Sequence, residues 1–483
     1  MTKKNWCLSI AALACLLLGL DPLNLWPLSW LAFFLLFLIA LDPAVSYRHL
    51  ALHTLMVSAV SFAYGLYWIN FYSPEIFVFV FLCLIPFIPI YFMLFRYLTT
   101  QGKNPTLTIL TAPLLWIALQ KIYYYSPFGT MALEVPFYGP FAFFQITSVT
   151  GFHAHAALVI GLNISLALAI QKRSRAGMFW AIFFVTLLTF SYIWGTNELK
   201  KPWIPKEEIP KKQIKVSLIQ HNLPVDMMWN IANTDTIRQT YQTYGEKAGE
   251  KHPDLILFPL YDITDDVFRQ PERFAKLAQE TKASILLGTY IPDHPDQNEA
   301  EGFYDTAILY SPEGKMYDYY IAGTPPPFRY LRKAGEINNK KYKSLNSPFG
   351  KLGIHLCYES GLGRVTKNAV REGAGILISL SNPGYFNRSH LPYYHLMQDR
   401  LRALESGRPM IRVASNGVSA LIDPKGRIVE VTKLDEEGLL FFSVGSENTV
   451  TPYYQYGDVL SFLGLIWIFG LFLNRKRKGK RIA

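Results

Sequence analysis

The chain has 483 residues, of which 51% are hydrophobic and only 17% charged. An average soluble protein carries roughly a quarter charged residues, so length and composition exclude a single water-soluble domain and imply two or three units, part of them in lipid. The net charge of +11 does not mark a nucleic-acid binder, because many basic residues lie in short joints between apolar runs and in the tail Arg475-Lys476-Arg477-Lys478-Gly479-Lys480-Arg481, where membrane topology requires them.

Spanning the hydrocarbon takes roughly 20 apolar residues as a helix. Candidate spans fall near 8–20, 26–41, 51–72, 76–98, 106–120, 152–170, 177–196 and 457–473. Lys3 and Lys4 before the first run mimic a signal peptide, but Asp21-Pro22 and a second apolar run follow it in place of a small-residue cleavage pattern. Eight spans put both ends on one side, together with Arg48, Arg96, Lys103, Lys172, Arg173, Arg175 and the basic tail. The opposite joints carry only Lys121. Retention of positive charge inside predicts cytoplasmic termini and a soluble domain on the outer face, the periplasm in a two-membrane bacterium. The aromatic segment 121–151 reads as an interfacial belt or, alternatively, as a loop lining an opening for lipid chains, with Glu134, His153 and His155 as polar contacts.

The expected organisation is a helical membrane part over 1–199, a linker over 200–213, an α/β domain over 214–450, and a last span with a basic tail over 451–483. Within the domain, short β-rich runs alternate with amphipathic stretches. Strands are expected at 214–220, 254–258, 284–290, 352–357 and 375–380, with helices at 230–250, 270–281, 363–372 and 391–406. A hairpin over 303–311 and 314–321 turns at Ser311-Pro312-Glu313-Gly314, and four short strands close the domain at 409–414, 417–422, 427–431 and 438–443. Alternation followed by hairpins is the mark of a layered α/β domain.

Cys7, Cys15 and Cys83 lie in or beside apolar runs, so Cys357 is alone in the soluble part and has no disulfide partner there. It ends a buried strand in Gly353-Ile354-His355-Leu356-Cys357-Tyr358-Glu359-Ser360. A turn and helix follow, a setting that favours the thiolate. A lone cysteine on an apolar strand is usually a core residue; a glutamate two residues on is not usual in a core. Glu359 either serves that cysteine or pairs with a nearby arginine such as Arg364. Arg402 and Glu405, three apart on the 391–406 helix, read as an internal ion pair. No histidine shows metal-ligand spacing and no glycine loop of the phosphate-cradling kind is present.

Four segments together carry a family likeness. They are Asp254-Leu255-Ile256-Leu257-Phe258-Pro259-Leu260, Tyr317-Asp318-Tyr319-Tyr320, Cys357-Tyr358-Glu359, and Ser379-Leu380-Ser381-Asn382-Pro383-Gly384-Tyr385-Phe386 with the run from Arg400 to Arg427. Their order and spacing resemble the carbon–nitrogen hydrolase (nitrilase) superfamily and, more narrowly, the apolipoprotein N-acyltransferases. Gln220-His221-Asn222 with Trp229, Ser126-Pro127-Phe128-Gly129 and 151–163 extend the likeness to roughly residues 10–470. The resemblance implies an αββα sandwich joined to about eight spans, no metal or other cofactor, a phospholipid acyl donor, a diacylated lipoprotein acceptor, and residence in the bacterial inner membrane. It implies acyl transfer through a cysteine thioester, with Cys357 as nucleophile and Tyr358, Glu359 and Asn382 in support. A glutamate base and a lysine complete the family's set; here their positions hold Leu260 and Tyr319. The loop that follows is also altered, to Thr324-Pro325-Pro326-Pro327-Phe328-Arg329-Tyr330.

The nucleophile is kept, while base and cation are not. Loss of a single oxyanion donor costs on the order of 10²–10³ in rate elsewhere, so three readings stand. The chain acylates with substitutes, Asp262 or Asp265 as base, Lys315, Arg329 or Lys333 as cation, and Tyr319 as an oxyanion donor. It is an impaired relative that binds lipoproteins or lipids, or partners an active one. Or it is a cysteine-dependent lipid acyl hydrolase.

Overall fold

The computed structural model describes residues 3–20, 23–100, 104–124, 139–203, 213–228, 230–260, 271–292, 303–324, 343–386 and 389–480. The chain divides into two compact units, Met1–Lys200 with Gln455–Ala483, and Lys201–Tyr454.

The first unit is helical. Among the described residues five helical stretches are long and apolar enough to cross a membrane: Tyr47–Leu66, Pro74–Thr99, Pro105–Tyr124, His153–Lys172 and Arg175–Lys200. Trp26–Ala40, Phe141–Thr150 and Val459–Arg475 are apolar but shorter, and Lys3–Gly19 is a further helix. The stretch Pro74–Thr99 runs as two pieces, Pro74–Leu84 and Phe87–Thr99, parted at Pro86, because proline cannot donate to the helical ladder. Polar groups inside this unit pair with one another. Lys121 Nζ meets Asp458 Oδ2, His153 Nδ1 lies 3.1 Å from Gln120 Oε1, and Ser9 Oγ lies 2.8 Å from His53 Nδ1. Pairing of this kind removes the cost of a bare charge or dipole in a low-dielectric interior.

The second unit is built on two six-stranded sheets. The first runs in the order β12-β1-β2-β3-β4-β5, where β1 is Gln213–Gln220, β2 Leu255–Leu260, β3 Ser284–Pro292, β4 Phe303–Tyr310, β5 Met316–Ile321 and β12 Gly438–Gly445. The second runs β11-β10-β9-β8-β7-β6, with β6 Leu345–Ser347, β7 Gly350–Leu356, β8 Ala374–Ser381, β9 Met410–Ala414, β10 Ala420–Ile422 and β11 Ile428–Val431. β1, β2 and β3 are parallel, as are β7, β8 and β9. The expected α/β layering is therefore present, with one strand, β6, that the sequence pattern does not reveal.

Alternation along the strands makes three layers of contact. Val216, Leu218, Leu257, Leu309, Ile354, Leu356, Ile378 and Val413 meet between the sheets. Ile256, Phe258, Ile285 and Ile308 face the other way and pack with Ile237, Tyr241, Phe274 and Leu277 of helices Thr234–Gly249 and Glu272–Thr281. On the outer face of the second sheet, Leu377, Met410 and Ala420 pack with Ala369, Leu396 and Ala403 of helices Gly363–Arg371 and Leu391–Ser406. The result is an αββα sandwich.

That last interface is not wholly apolar. His355, Ser379 and Arg412 are register neighbours on β7, β8 and β9 and are fully buried. Arg412 Nη1 donates to Asp399 Oδ2 at 2.7 Å and Arg412 Nε to the Val418 carbonyl at 2.9 Å. His355 Nε2 lies 2.8 Å from Thr366 Oγ1. Arg402 and Glu405 pair at 3.1 Å, as their spacing implies. Breaking a buried ion pair strands the remaining charge. Arg412→Met is accordingly expected to cost about 3–5 kcal/mol, read as a lowered unfolding midpoint of the detergent-purified chain. Arg412→Met with Asp399→Leu should recover much of the loss; equal destabilisation by single and double variants would refute the pairing argument.

Candidate active site

The site lies at the carboxyl ends of β7, β8, β2 and β5. β7 delivers its chain straight into Cys357, which opens a short turn, Cys357–Gly361, ahead of helix Gly363–Arg371. The turn demands a reversal in very few residues, and Cys357 bears it with φ of +47°. A non-glycine residue in the left-handed region costs on the order of 1–3 kcal/mol and is kept where the surroundings over-determine it. The thiol is half-buried and packs against the cluster between the sheets. It is therefore not sealed in the core.

Glu359, two residues on, is completely buried. Its Oε2 accepts from the Tyr320 hydroxyl at 2.8 Å and from the Leu356 amide at 3.2 Å. Its Oε1 accepts from the Gly323 amide at 2.8 Å and the Thr324 amide at 3.2 Å. One carboxylate thus ties the end of β5 in the first sheet to the cysteine turn in the second. Burial pushes the Glu359 pKa up to about 7, against the pull of Tyr320 and the three amides toward the charged form. The expected salt bridge to Arg364 is replaced by these contacts; Arg364 Nη2 lies 3.5 Å from Thr324 Oγ1.

Leu260 ends β2 and points into the space between the sheets, with no exposure. It lies over Gly288 of β3, where a Cβ would come within 2.5 Å of Leu260 Cδ1. The position that the family resemblance implies for a base thus holds a buried leucine. Tyr319 is not brought to the site. It pairs with Ile308, whose side chain faces the outer layer, and is 46% exposed. Tyr320 pairs with Ala307 and shares its inward face. A bulge in the β4–β5 ladder between Leu309 and Tyr310 breaks the simple alternation that counting from the turn would give. The residue that meets Glu359 is one position beyond the one the sequence motif indicates, and only the strand pairing reveals it.

Lys315 is exposed in the hairpin turn, at the opposite end of β5 from Gly323, and so supplies no cation to the thiol. Asp262, Asp265, Arg329, Lys333, Trp229 and Glu134 lie outside the described residues. Tyr358 packs beside Leu362 and Val365. Asn382 is buried after β8, where its Oδ1 accepts from the Gly384 amide at 3.1 Å and its Nδ2 lies 3.2 Å from Met228 Sδ. Below the turn, Ser360 Oγ lies 2.8 Å from Ser379 Oγ. A crevice of 330 Å³ lies past the ends of β1, β8 and β9, walled by Asn222, Pro383, Gly384, Asn416, Leu434 and Asp435; Cys357 is not among its lining residues.

Such a half-exposed, strained cysteine backed by a buried glutamate on an αββα sandwich, in a chain with apolar membrane-length helices, defines a membrane-bound protein of the nitrilase type. Residues 215–450 match the carbon-nitrogen hydrolase family and residues 12–165 the apolipoprotein N-acyltransferase N-terminal domain. An apolipoprotein N-acyltransferase of Geobacter metallireducens is 24% identical, covering 95% of this chain and 93% of its own. Those of Haemophilus influenzae and Pasteurella multocida are 25% and 24% identical, over 93% and 99% of this chain and 90% and 98% of theirs. A carbon-nitrogen hydrolase crystal structure from Helicobacter pylori is similar with TM-score 0.41 and 15% identity, over 48% of this chain and 88% of that one. The chain belongs to the apolipoprotein N-acyltransferase family.

The raised Glu359 pKa has a signed consequence. An unfolded glutamate loses its proton near 4.5 and the folded one near 7, so between these values the folded state holds more protons and rising pH costs stability. Relative to Glu359→Gln, the unfolding free energy should fall by about 3 kcal/mol from pH 4.5 to 7. His355 and His395, which burial pushes down to about 3, act oppositely below 6.5 and cancel in the difference. A pH-independent difference would contradict the assignment.

Proposed function

We propose that the protein transfers an acyl chain from a phospholipid to Cys357 and from that thioester to the amino terminus of a diacylglyceryl-cysteine lipoprotein. The observation that carries this reading is Cys357 itself: a half-buried thiol at a left-handed turn, backed by Glu359. A thiol attacks an ester once its proton is taken, and the negative charge then gathering on oxygen needs donors nearby. The names of the relatives support N-acyl transfer to an apolipoprotein; the phospholipid donor is part of the proposal.

The membrane arrangement belongs to the same proposal. Eight spans, with 1–199 in the membrane, a linker over 200–213, the nitrilase-like domain over 214–450 and the last span and basic tail over 451–483, bring both termini to the cytoplasm. Positive charge at Lys3, Lys4, Arg48, Arg96 and in the tail supports this orientation. The nitrilase-like domain then faces the periplasm from the inner membrane, on the side where lipoproteins carry their free amine.

Leu260 favours a second reading, an impaired relative that binds lipids or lipoproteins without turnover, because hydrocarbon stands where the base belongs. Incubation of the purified protein with a fluorescent phospholipid, followed by a denaturing gel, separates the two. Acyl transfer predicts a hydroxylamine-sensitive label that Cys357→Ala abolishes. A blocked amino terminus on an added diacylated lipopeptide then reports the second half-reaction. A folded wild-type chain that takes no label would leave only the binding role, and label without amine transfer would point to hydrolysis.

A further inference from the structure

The family's lysine has no cationic substitute among the described residues that meet Glu359: its hydrogen-bond donors are the Tyr320 hydroxyl and the amides of Gly323, Thr324 and Leu356. These four partners differ in one respect. An amide N–H can only donate, whereas a phenol O–H can donate or accept. If Glu359 takes up a proton, three of its bonds cannot reverse, and only Tyr320 can turn its O–H away and accept from the carboxylic acid. We infer that Tyr320 is a positioning residue that acts through Glu359: it lets this carboxyl gain and return a proton while the amide bonds that fix the cysteine turn stay made.

The inference rests on the acyl-transfer reading for its chemistry but not for its test. In acyl-enzyme formation the thiol S–H bond breaks, sulfur bonds to the ester carbonyl carbon, and the ester C–O bond breaks. The thiol proton must end on the departing alcohol oxygen. Glu359 holds that proton between the two events, and Tyr320 reverses twice. No oxidant or further reactant is needed. Leu260 cannot share the task, having no titratable group, so the buried carboxyl left beside the nucleophile carries it. The Leu356 amide that binds Glu359 belongs to the residue before the nucleophile, and Tyr320 and Cys357 both touch the cluster between the sheets.

Other titratable groups face the turn from the elements packed on it. They are Arg364 from helix Gly363–Arg371, Asp399 and Arg402 from helix Leu391–Ser406, and His355 from β7. Asp399 is tied to Arg412 and His355 is held neutral by burial. Arginines keep their charge throughout the neutral range. Glu359 is thus the group expected to change charge near neutrality.

The test is the pH dependence of Cys357 alkylation by iodoacetamide, in full-length protein whose Cys7, Cys15 and Cys83 are replaced by serine. The wild-type pair should give an inflection near neutrality in addition to the thiol's own titration. Glu359→Gln should remove it. Tyr320→Phe deletes one bond to the charged carboxylate and should move the inflection up by about one unit. Tyr320→Lys, which can donate but not accept, should move it down and out of the neutral range. A tyrosine that only donates has no bond to the neutral acid to offset the loss and predicts a rise of about two units in Tyr320→Phe; that rise, or an inflection unmoved in both variants, overturns the inference. If Tyr320→Phe does not fold, the Lys variant and Glu359→Gln decide alone. The phospholipid label is read on the same samples. Label on the wild type with an unmoved inflection in the Tyr320 variants sinks the relay and keeps acyl transfer; shifted inflections without label do the reverse.

Discussion

The carboxylate of Glu359 holds the two halves of the site together. Cys357 is delivered by the second sheet, whereas Tyr320, Gly323 and Thr324 come from the end of β5 in the first. Hydrophobic packing between sheets is nearly indifferent to small slides, so the relative placement of two chain ends needs directional bonds. Four hydrogen bonds to one buried carboxylate supply them. The Leu356 amide fixes the residue immediately before the nucleophile. The strained φ of Cys357 is thereby held from within its own turn, and the energy for it comes from bonds that a surface turn could not make.

A buried carboxylate is costly, and the surroundings show how the cost is met in two different ways. Asp399 is compensated by a full charge, Arg412 at 2.7 Å, with both side chains out of water. Among the described residues Glu359 is met by dipoles alone, and burial raises its pKa to about 7. Two acids of one domain thus serve opposite ends. The ion-paired one is a fixed strut under β8 and β9, and the dipole-solvated one is free to change protonation close to neutrality.

Much of this was legible in the sequence. Apolar alternation and helix periodicity located the parallel strands and all four covering helices, because each buries a face whose period differs from its neighbour's. Cys357 stood out because a glutamate two residues away has no business in an ordinary core. The three-residue strand β6 was not legible, since so short a run has no period to read. Motif spacing offers Tyr319 as an oxyanion donor, but it fixes residue number and not side-chain direction; the bulge at Leu309–Tyr310 resets the parity and turns Tyr320 inward instead. The partner of Glu359 was likewise beyond reach. A sequence offers Arg364 five residues away as the obvious counter-charge, and only the fold brings Tyr320 across from the other sheet.

The substitutions at the base and cation positions make sense together rather than singly. A lysine beside Glu359 would keep that carboxylate ionised, and an ionised neighbour is of little use as a proton store. With the neighbouring Tyr320 hydroxyl as its partner instead, the proposed relay lets the same carboxyl become neutral or charged at little cost, and a separate glutamate on β2 is then not required for the proton. Leu260 then fills the vacated space over Gly288, where a lone unpaired carboxylate would carry a heavy desolvation penalty. The proposed relay thus accounts for Leu260 and Tyr319 together: a single titratable acid with reversible hydrogen bonds at Glu359 would take the place of the charged pair that the family resemblance implies.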